Sequence, residues 1–153
     1  MKNEDYELTI KLINDNMDIV TLGEFGQGVS DLWINKAQER LNVTFPPSYI
    51  WWLKNYGGGE ILGEEIFSVY EKDFDTVVGG DIVYINELNK KNGVSKDTQL
   101  VIQKTDNAEI FYLDLRQMDE NGEYPIYRKF ASTNTKYADD FLGFLKRRII
   151  DEY

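Results

Sequence analysis

Apolar residues recur three or four positions apart in five segments of the chain, which predicts five amphipathic helices. The predicted helices cover residues 6–16, 31–41, 47–56, 82–91 and a last segment that begins near residue 137 and ends at the basic residues 146–148. Ser30 and Asp81 have side chains that cap helix N-termini, and Gly57 and Gly93 are suited to end helices. The boundaries of the middle three helices therefore have local signals.

The two terminal helices are predicted on different grounds. In the first, Tyr6, Ile10, Ile13 and Met17 lie at helical spacing, and three glycines within residues 21–28 then break the pattern. This N-terminal segment is expected to pack on the edge of the domain. In the last, acidic residues 139–140 lie in the first turn and basic residues end the helix, which matches the helix dipole.

Short apolar runs bounded by turn residues predict four strands, at residues 66–70, 100–103, 110–115 and 124–130. Asn121 and Gly122 form a pair that a tight hairpin prefers, so the fourth strand is expected to run antiparallel to the third. Pro125 then lies near the strand start or on an edge. Helices, a meandering antiparallel sheet and a closing helix packed on it make an α+β fold.

The apolar positions of the helices are expected to form the core. They include Leu32, Ala37 and Leu41 in the second helix and Tyr49, Trp52, Leu53 and Tyr56 in the third. Core packing explains this aromatic stripe better than a ligand-stacking site does. We expect six residues from three elements to share one core: Trp52, Leu53, Phe111, Leu113, Phe141 and Leu145.

The chain has 153 residues, a length that one hydrophobic core sustains. It has neither cysteine nor histidine. Disulfides, thiolate zinc sites, histidine triads and thiol nucleophiles are thereby excluded, and we expect no cofactor and no transition metal. Carboxylate chemistry is still open, either as a glycosidase or as a weak calcium or magnesium site.

The net charge of -10 repels phosphate backbones and anionic lipid headgroups and attracts a basic protein. Solubility alone would also explain this charge. The glycine triplet 57–59 is followed by glutamates rather than by a lysine and a helix, so a helix stop and a bend explain it better than a phosphate loop. The N-terminus resembles no signal peptide, and no run spans a membrane, which favours the cytoplasm.

The middle of the chain carries a recognisable order of a helix, a short turn, prolines, a second helix and glycines. Its residues are Ile34, Ala37, Glu39, Leu41, Val43, Phe45, Pro46, Pro47, Tyr49, Trp52, Leu53, Tyr56 and Gly57 to Gly59. This order resembles the N-terminal signature of the SUKH superfamily, of the Smi and Knr type. Phe111, Leu113 and Asp114 resemble its apolar-Leu-Asp strand, and residues 141–145 resemble its closing helix.

The resemblance covers about residues 30–150, so the whole chain is expected to be one SUKH-like domain with residues 1–28 as an extension. It implies an immunity protein, an antitoxin encoded beside an LXG-type toxin with an RNase domain and monomeric when free. The alternative that it leaves open is a scaffold or signalling adaptor like the fungal cell-wall regulators of the superfamily. Neither role requires catalysis, a direct nucleic-acid ligand or a membrane.

Acidic and aromatic side chains that follow the glycine triplet are the candidate toxin contacts. They are Glu60, Glu64, Glu65, Tyr70, Glu71, Asp73, Phe74 and Asp75. Carboxylates would stand in for phosphates in a basic nuclease cleft, and the two aromatic residues would be buried anchors. A solvated loop is the competing interpretation for each of them.

Overall fold

The computed structural model describes residues 3–150. In that part of the chain there are five helices: α1 (Asn3–Asp15), α2 (Asp31–Leu41), α3 (Pro47–Tyr56), α4 (Ile82–Lys91) and α5 (Phe141–Ile150). There are seven strands: β1 (Val20–Leu22), β2 (Gly59–Ile61), β3 (Glu64–Ile66), β4 (Gln99–Lys104), β5 (Ile110–Asp114), β6 (Ile126–Phe130) and β7 (Thr133–Ala138). The α+β class predicted from the sequence is confirmed.

The seven strands form one sheet in chain order, and each strand is antiparallel to its neighbours. Helix α5 lies on one face, where Phe144 contacts Phe111 of β5 with ring centroids 5.4 Å apart. Helices α1 and α3 pack against α5, while α4 packs against β4 and α2 against α4. Strand β1 is one edge of the sheet, whereas α1 contributes the buried Ile13 to the common core.

The predicted core is confirmed. All six expected residues are at most 1% exposed and belong to one hydrophobic cluster. The Tyr49 ring contacts both Trp52 and Phe141, at centroid distances of 5.9 and 5.1 Å, and joins α3 to α5. Two expected apolar positions are wrong, because Met17 and Leu32 are 60% and 61% exposed.

The predicted start of the last helix is wrong. Tyr137 and Ala138 belong to β7, and α5 begins at Phe141. The Asp140 carboxylate accepts a hydrogen bond of 2.8 Å from Gly143 N–H, so this acidic residue satisfies the first turn from just outside the helix. Strand β7 was not predicted because its first four residues are polar and exposed and lack an apolar alternation.

The predicted strand at residues 66–70 is also wrong, since β3 ends at Ile66. Beyond it, Ser68 N–H donates to Gly80 O and Ser68 O accepts from Ile82 N–H, at 3.1 and 2.7 Å. The chain therefore leaves the sheet and pairs with the segment that leads into α4. The short strands β1 and β2 were not predicted, because three residues are too few for a recognisable pattern.

The expected tight hairpin at Asn121 and Gly122 does not form, and β6 begins at Ile126. Instead, the Asp119 carboxylate accepts from the backbone N–H groups of Asn121 and Glu123 at 2.8 and 3.0 Å. These bonds order a longer loop between β5 and β6. The loop then places the side chain of Glu123 beneath α3.

Glu123 provides the N-terminal cap that α3 lacks. Pro46 occupies the cap position and offers no side-chain acceptor, but the Glu123 carboxylate accepts from Ser48 N–H and Ser48 O–H at 2.9 and 2.6 Å. Glu123 is 2% exposed, and burial raises its pKa. The family-like Pro-Pro-Ser start of this helix thus depends on a carboxylate far along the chain.

Replacing Trp52 by Ala should lower the free energy of unfolding by about 3–5 kcal/mol, because a large buried ring is lost to a cavity. Urea denaturation measures this change. Leu8→Ala is the control, since Leu8 is 59% exposed and its truncation should have little effect. Equal stabilities of the two variants would show that Trp52 is not part of the core.

Replacing Glu123 by Ala should cost about 1–3 kcal/mol, because a buried N–H and a hydroxyl lose their acceptor. Glu123→Gln should cost less, because its amide can accept from Ser48 N–H and donate to Ser48 Oγ. Chemical denaturation of both variants checks this order. The capping role fails if Gln is as destabilising as Ala.

Candidate functional site

The eight predicted contact residues lie on the β2–β3 pair and on the segment that follows it, residues 70–80, which we call the acidic loop. Successive residues of a strand point to opposite faces of the sheet, and this separates the glutamates of β2–β3 into two groups. Glu64 lies opposite Ile61 and Glu65 lies opposite Glu60 in the register, so Glu64 and Glu65 point to opposite faces of the sheet. Only Glu65 and Glu60 lie on the same face as the start of the acidic loop.

Glu64 is separated from the other predicted residues by its ion pair. Its carboxylate lies 3.2 Å from the guanidinium of Arg148 on α5. Arg148 is 6% exposed and stacks over the Phe111 ring, 5.0 Å from its centroid. Glu64 therefore compensates a buried charge, and removing it would destabilise the fold.

Tyr70 connects the acidic loop to β3. Its hydroxyl donates to the Glu65 carboxylate and accepts from Gly80 N–H at 2.9 Å. A side chain at Gly80 would collide with that carboxylate, so only glycine allows this approach. Burial and the bond to Glu65 raise the pKa of Tyr70 to about 12. Tyr70 is consequently neutral and held in place.

The base of the acidic loop is fixed by Asp81, which is fully buried. One carboxylate oxygen accepts from Tyr70 N–H at 3.0 Å. The other accepts from Val83 N–H and Tyr84 N–H at 2.9 and 3.1 Å and caps α4. The sequence predicted the cap, but it gave no signal for the bond to Tyr70.

The tip of the acidic loop is ordered by Asp73. Its carboxylate accepts from Asp75 N–H at 2.9 Å, and its carbonyl accepts from Val77 N–H at the same distance. The buried Val77 anchors this turn. Glu71 has a positive φ of 58° and accepts from Ser30 N–H at 3.4 Å, which brings the loop against the start of α2.

Phe74 packs on α2. Its ring meets Trp33 edge-on at 5.7 Å, and both residues are half-buried. Arg40 lies beside the same ring and pairs with Asp75 and Glu87 at 2.9 and 2.8 Å. Trp33 was not predicted as a site residue, because it lies off the buried stripe of α2. A large aromatic residue outside the apolar stripe of a helix is the sequence feature that could have indicated it.

Charge on this surface is only partly compensated. Asp75 is paired with Arg40 and Glu64 with Arg148. Within residues 3–150, no lysine or arginine forms an ion pair with the other four predicted carboxylates, which are Glu60, Glu65, Glu71 and Asp73. Glu60 and Glu65 lie directly opposite each other, an arrangement of like charges that costs stability.

The remaining carboxylates with shifted pKa values have structural partners. Arg116 holds the pKa of Asp114 at about 2, and Gln117 also donates to it. Glu123, whose pKa is raised, caps α3. No group of three potential ligand residues among residues 3–150 is arranged to hold a metal ion. In the same range, none of the helices is long and apolar enough to cross a bilayer.

The model of the SUKH_6 family, described as SMI1-KNR4 cell-wall, matches residues 31–145. This match covers more than half of the chain and confirms the SUKH resemblance. It begins at the first residue of α2 and ends within α5, so it includes every strand except β1 as well as the acidic loop.

Replacing Tyr70 by Phe should lower the free energy of unfolding by about 1 kcal/mol near neutral pH, because Glu65 and Gly80 lose a hydrogen-bond partner. The folded pKa of about 12 lies above the unfolded value of about 10. The stability contributed by the protonated hydroxyl is therefore present below pH 10 and is lost as the pH rises through 12.

Urea denaturation of wild type and Tyr70→Phe across this alkaline range measures the effect. The stability difference should be constant below pH 10 and shrink above it. A difference that does not change with pH, or that is absent near neutrality, would show that Tyr70 does not hold the loop to β3.

Proposed function

The chain belongs to the SUKH_6, SMI1-KNR4 cell-wall family, and we propose that it is an immunity protein that binds and neutralises a cognate toxin. Members of the SUKH superfamily bind toxins as immunity proteins, which supports a protein partner. The family is also generally non-catalytic. The observation that carries the proposal is the acidic loop, an ordered segment with uncompensated carboxylates beside an aromatic pair.

The proposed target is the RNase domain of an LXG-type toxin. Nucleases need basic clefts to hold a phosphate backbone, and a surface with several unpaired carboxylates is complementary to such a cleft. Glu60, Glu65, Glu71 and Asp73 would stand in for phosphates. Glu64 is excluded from this role because it compensates Arg148 on the other face.

Order in the acidic loop favours tight binding. Asp73, Tyr70 and Asp81 fix its tip, its contact with β3 and its base, so little conformational freedom would be lost on association. Phe74 and Trp33 are half-exposed rings on a rigid support, which suits them as anchors at the centre of an interface. Lys36 and Arg40 lie over the Trp33 and Phe74 rings, so cations as well as carboxylates neighbour the proposed anchors.

Immunity would act in the cytoplasm, without cofactor, membrane or direct nucleic acid, by a chain that is monomeric when free. The alternative is a scaffold or signalling adaptor, which the description of the family as a cell-wall family favours. The two roles differ in the partner. Co-purification with the product of an adjacent toxin-like gene would support immunity over the adaptor role.

The test uses variants that remove charge while keeping shape: Glu60→Gln, Glu71→Gln and Asp73→Asn together. The asparagine keeps the oxygen that accepts from Asp75 N–H. A matched control removes three exposed charges elsewhere: Asp18→Asn, Asp97→Asn and Glu120→Gln. Both variants change the net charge by the same amount, so a difference in binding between them shows the effect of where the charges lie.

Stopped-flow binding to the toxin domain at low and high salt should show that the acidic-loop variant associates more slowly and with a flatter salt dependence. Steered association reaches about 10⁸ M⁻¹s⁻¹, against about 10⁵ to 10⁶ M⁻¹s⁻¹ without steering. Phe74→Ala should instead act mainly by faster dissociation. Equal rates for the acidic-loop variant, the control and wild type would rule out this surface as the interface.

A further inference from the structure

The sheet has a second exposed surface on the side opposite α5. On this side, residues that are partners in the strand register form two rows across the sheet. One row is Lys104, Ile110, Lys129 and Asn134, and the other is Val101, Tyr112, Tyr127 and Lys136. Lys104, Lys129, Asn134 and Lys136 are exposed to solvent. We call the exposed and half-buried residues of these rows, together with Arg116, the open face; Val101 and Tyr112 are buried beneath it, at 1% and 3% exposure.

The charge of the open face is opposite to that of the whole chain. The chain has 27 acidic and 17 basic side chains, yet the open face carries three lysines and an arginine. Arg116 is paired with the carboxylate of Asp114, whose side chain is 3% exposed. Lys136 pairs with Asp139, which leaves Lys104 and Lys129 without a carboxylate partner within residues 3–150.

Tyr127 is a half-buried aromatic residue between these charges, and it packs on Tyr112, which is 3% exposed and belongs to the hydrophobic core. The rings of Tyr112 and Tyr127 stack at 5.9 Å with an interplanar angle of 17°. The Asn134 amide donates to the Tyr112 hydroxyl at 2.7 Å, and Gln117 donates to the Tyr127 hydroxyl at 3.2 Å. The Tyr127 ring is held by these contacts, so it can bind a partner with little loss of conformational freedom.

We propose that the open face is a second binding surface, which takes an acidic segment of a protein partner. It lies on β4–β7 and is separate from the acidic loop, so this inference goes beyond the proposed immunity function and does not rest on it. The lysines would pair with carboxylates, and the half-buried ring of Tyr127 would contact the apolar parts of the segment.

An acidic polypeptide fits better than a nucleic acid. Duplex DNA carries about one charge per 1.7 Å, so a duplex would extend its charge beyond the basic rows and onto the negative remainder of the protein. Each row crosses four strands that lie about 4.8 Å apart, so a row is only as long as a short peptide segment. A peptide can end where the basic rows end.

Nuclear magnetic resonance titration of the full chain with a peptide of alternating glutamate and leucine tests the proposal. Shift changes should centre on β5–β7, and Lys129→Gln with Lys136→Gln should weaken binding about three- to tenfold, as expected for two exposed charge pairs. Lys54→Gln with Lys91→Gln, which removes two exposed lysines from α3 and α4, should leave the affinity unchanged.

A peptide of alternating lysine and leucine and a single-stranded oligonucleotide complete the design. Neither should shift the β5–β7 resonances. The proposal fails if the acidic peptide causes no shifts there, if the Lys129 and Lys136 variant binds as tightly as wild type, or if the oligonucleotide occupies this face. Both lysine pairs are exposed, so the variants should fold, and toxin binding through the acidic loop should persist in them.

Discussion

The carboxylate of Asp81 is the contact on which the candidate site depends. It is fully buried, and both of its oxygens accept backbone N–H bonds, one from Tyr70 and the other from the first turn of α4. A buried carboxylate is tolerated only with such partners. The same group therefore starts a helix and fixes the base of the acidic loop. With the Tyr70–Glu65 bond it gives the loop a defined position relative to the sheet.

Paired and unpaired charges lie in different places on this protein. The buried Arg148 is paired with Glu64, and this ion pair supports the fold. Glu60, Glu65, Glu71 and Asp73 form no ion pair with a lysine or arginine within residues 3–150, and the repulsion between Glu60 and Glu65 is a cost that the fold does not require. A cost retained at an ordered surface is typical of a functional site. Family membership supports a protein partner, and this electrostatic pattern is the basis for proposing that the partner is basic.

The sequence predicted what local chemistry determines. Helices α2 and α3 have the expected bounds because Ser30 caps one and Gly57 ends the other, and helical spacing placed Trp52 in the core. The predicted contact residues come from one stretch of sequence, and their role as an interface is still a prediction. Adjacency in sequence could not show that Glu64 and Glu65 face opposite sides. Contacts between distant segments, such as Glu123 with Ser48, leave no local pattern. Such contacts complete the fold and the site alike.

Hydrogen exchange of the chain, alone and bound to the toxin's RNase domain, tests the central claim most directly. Amide exchange reports the segment that a partner covers and needs no assumption about which side chain contributes most. If the acidic surface is the interface, added protection should appear in residues 69–80, in β2–β3 and in the first turn of α2. Protection confined to the open face or to α1, with no change in residues 69–80, would contradict the account.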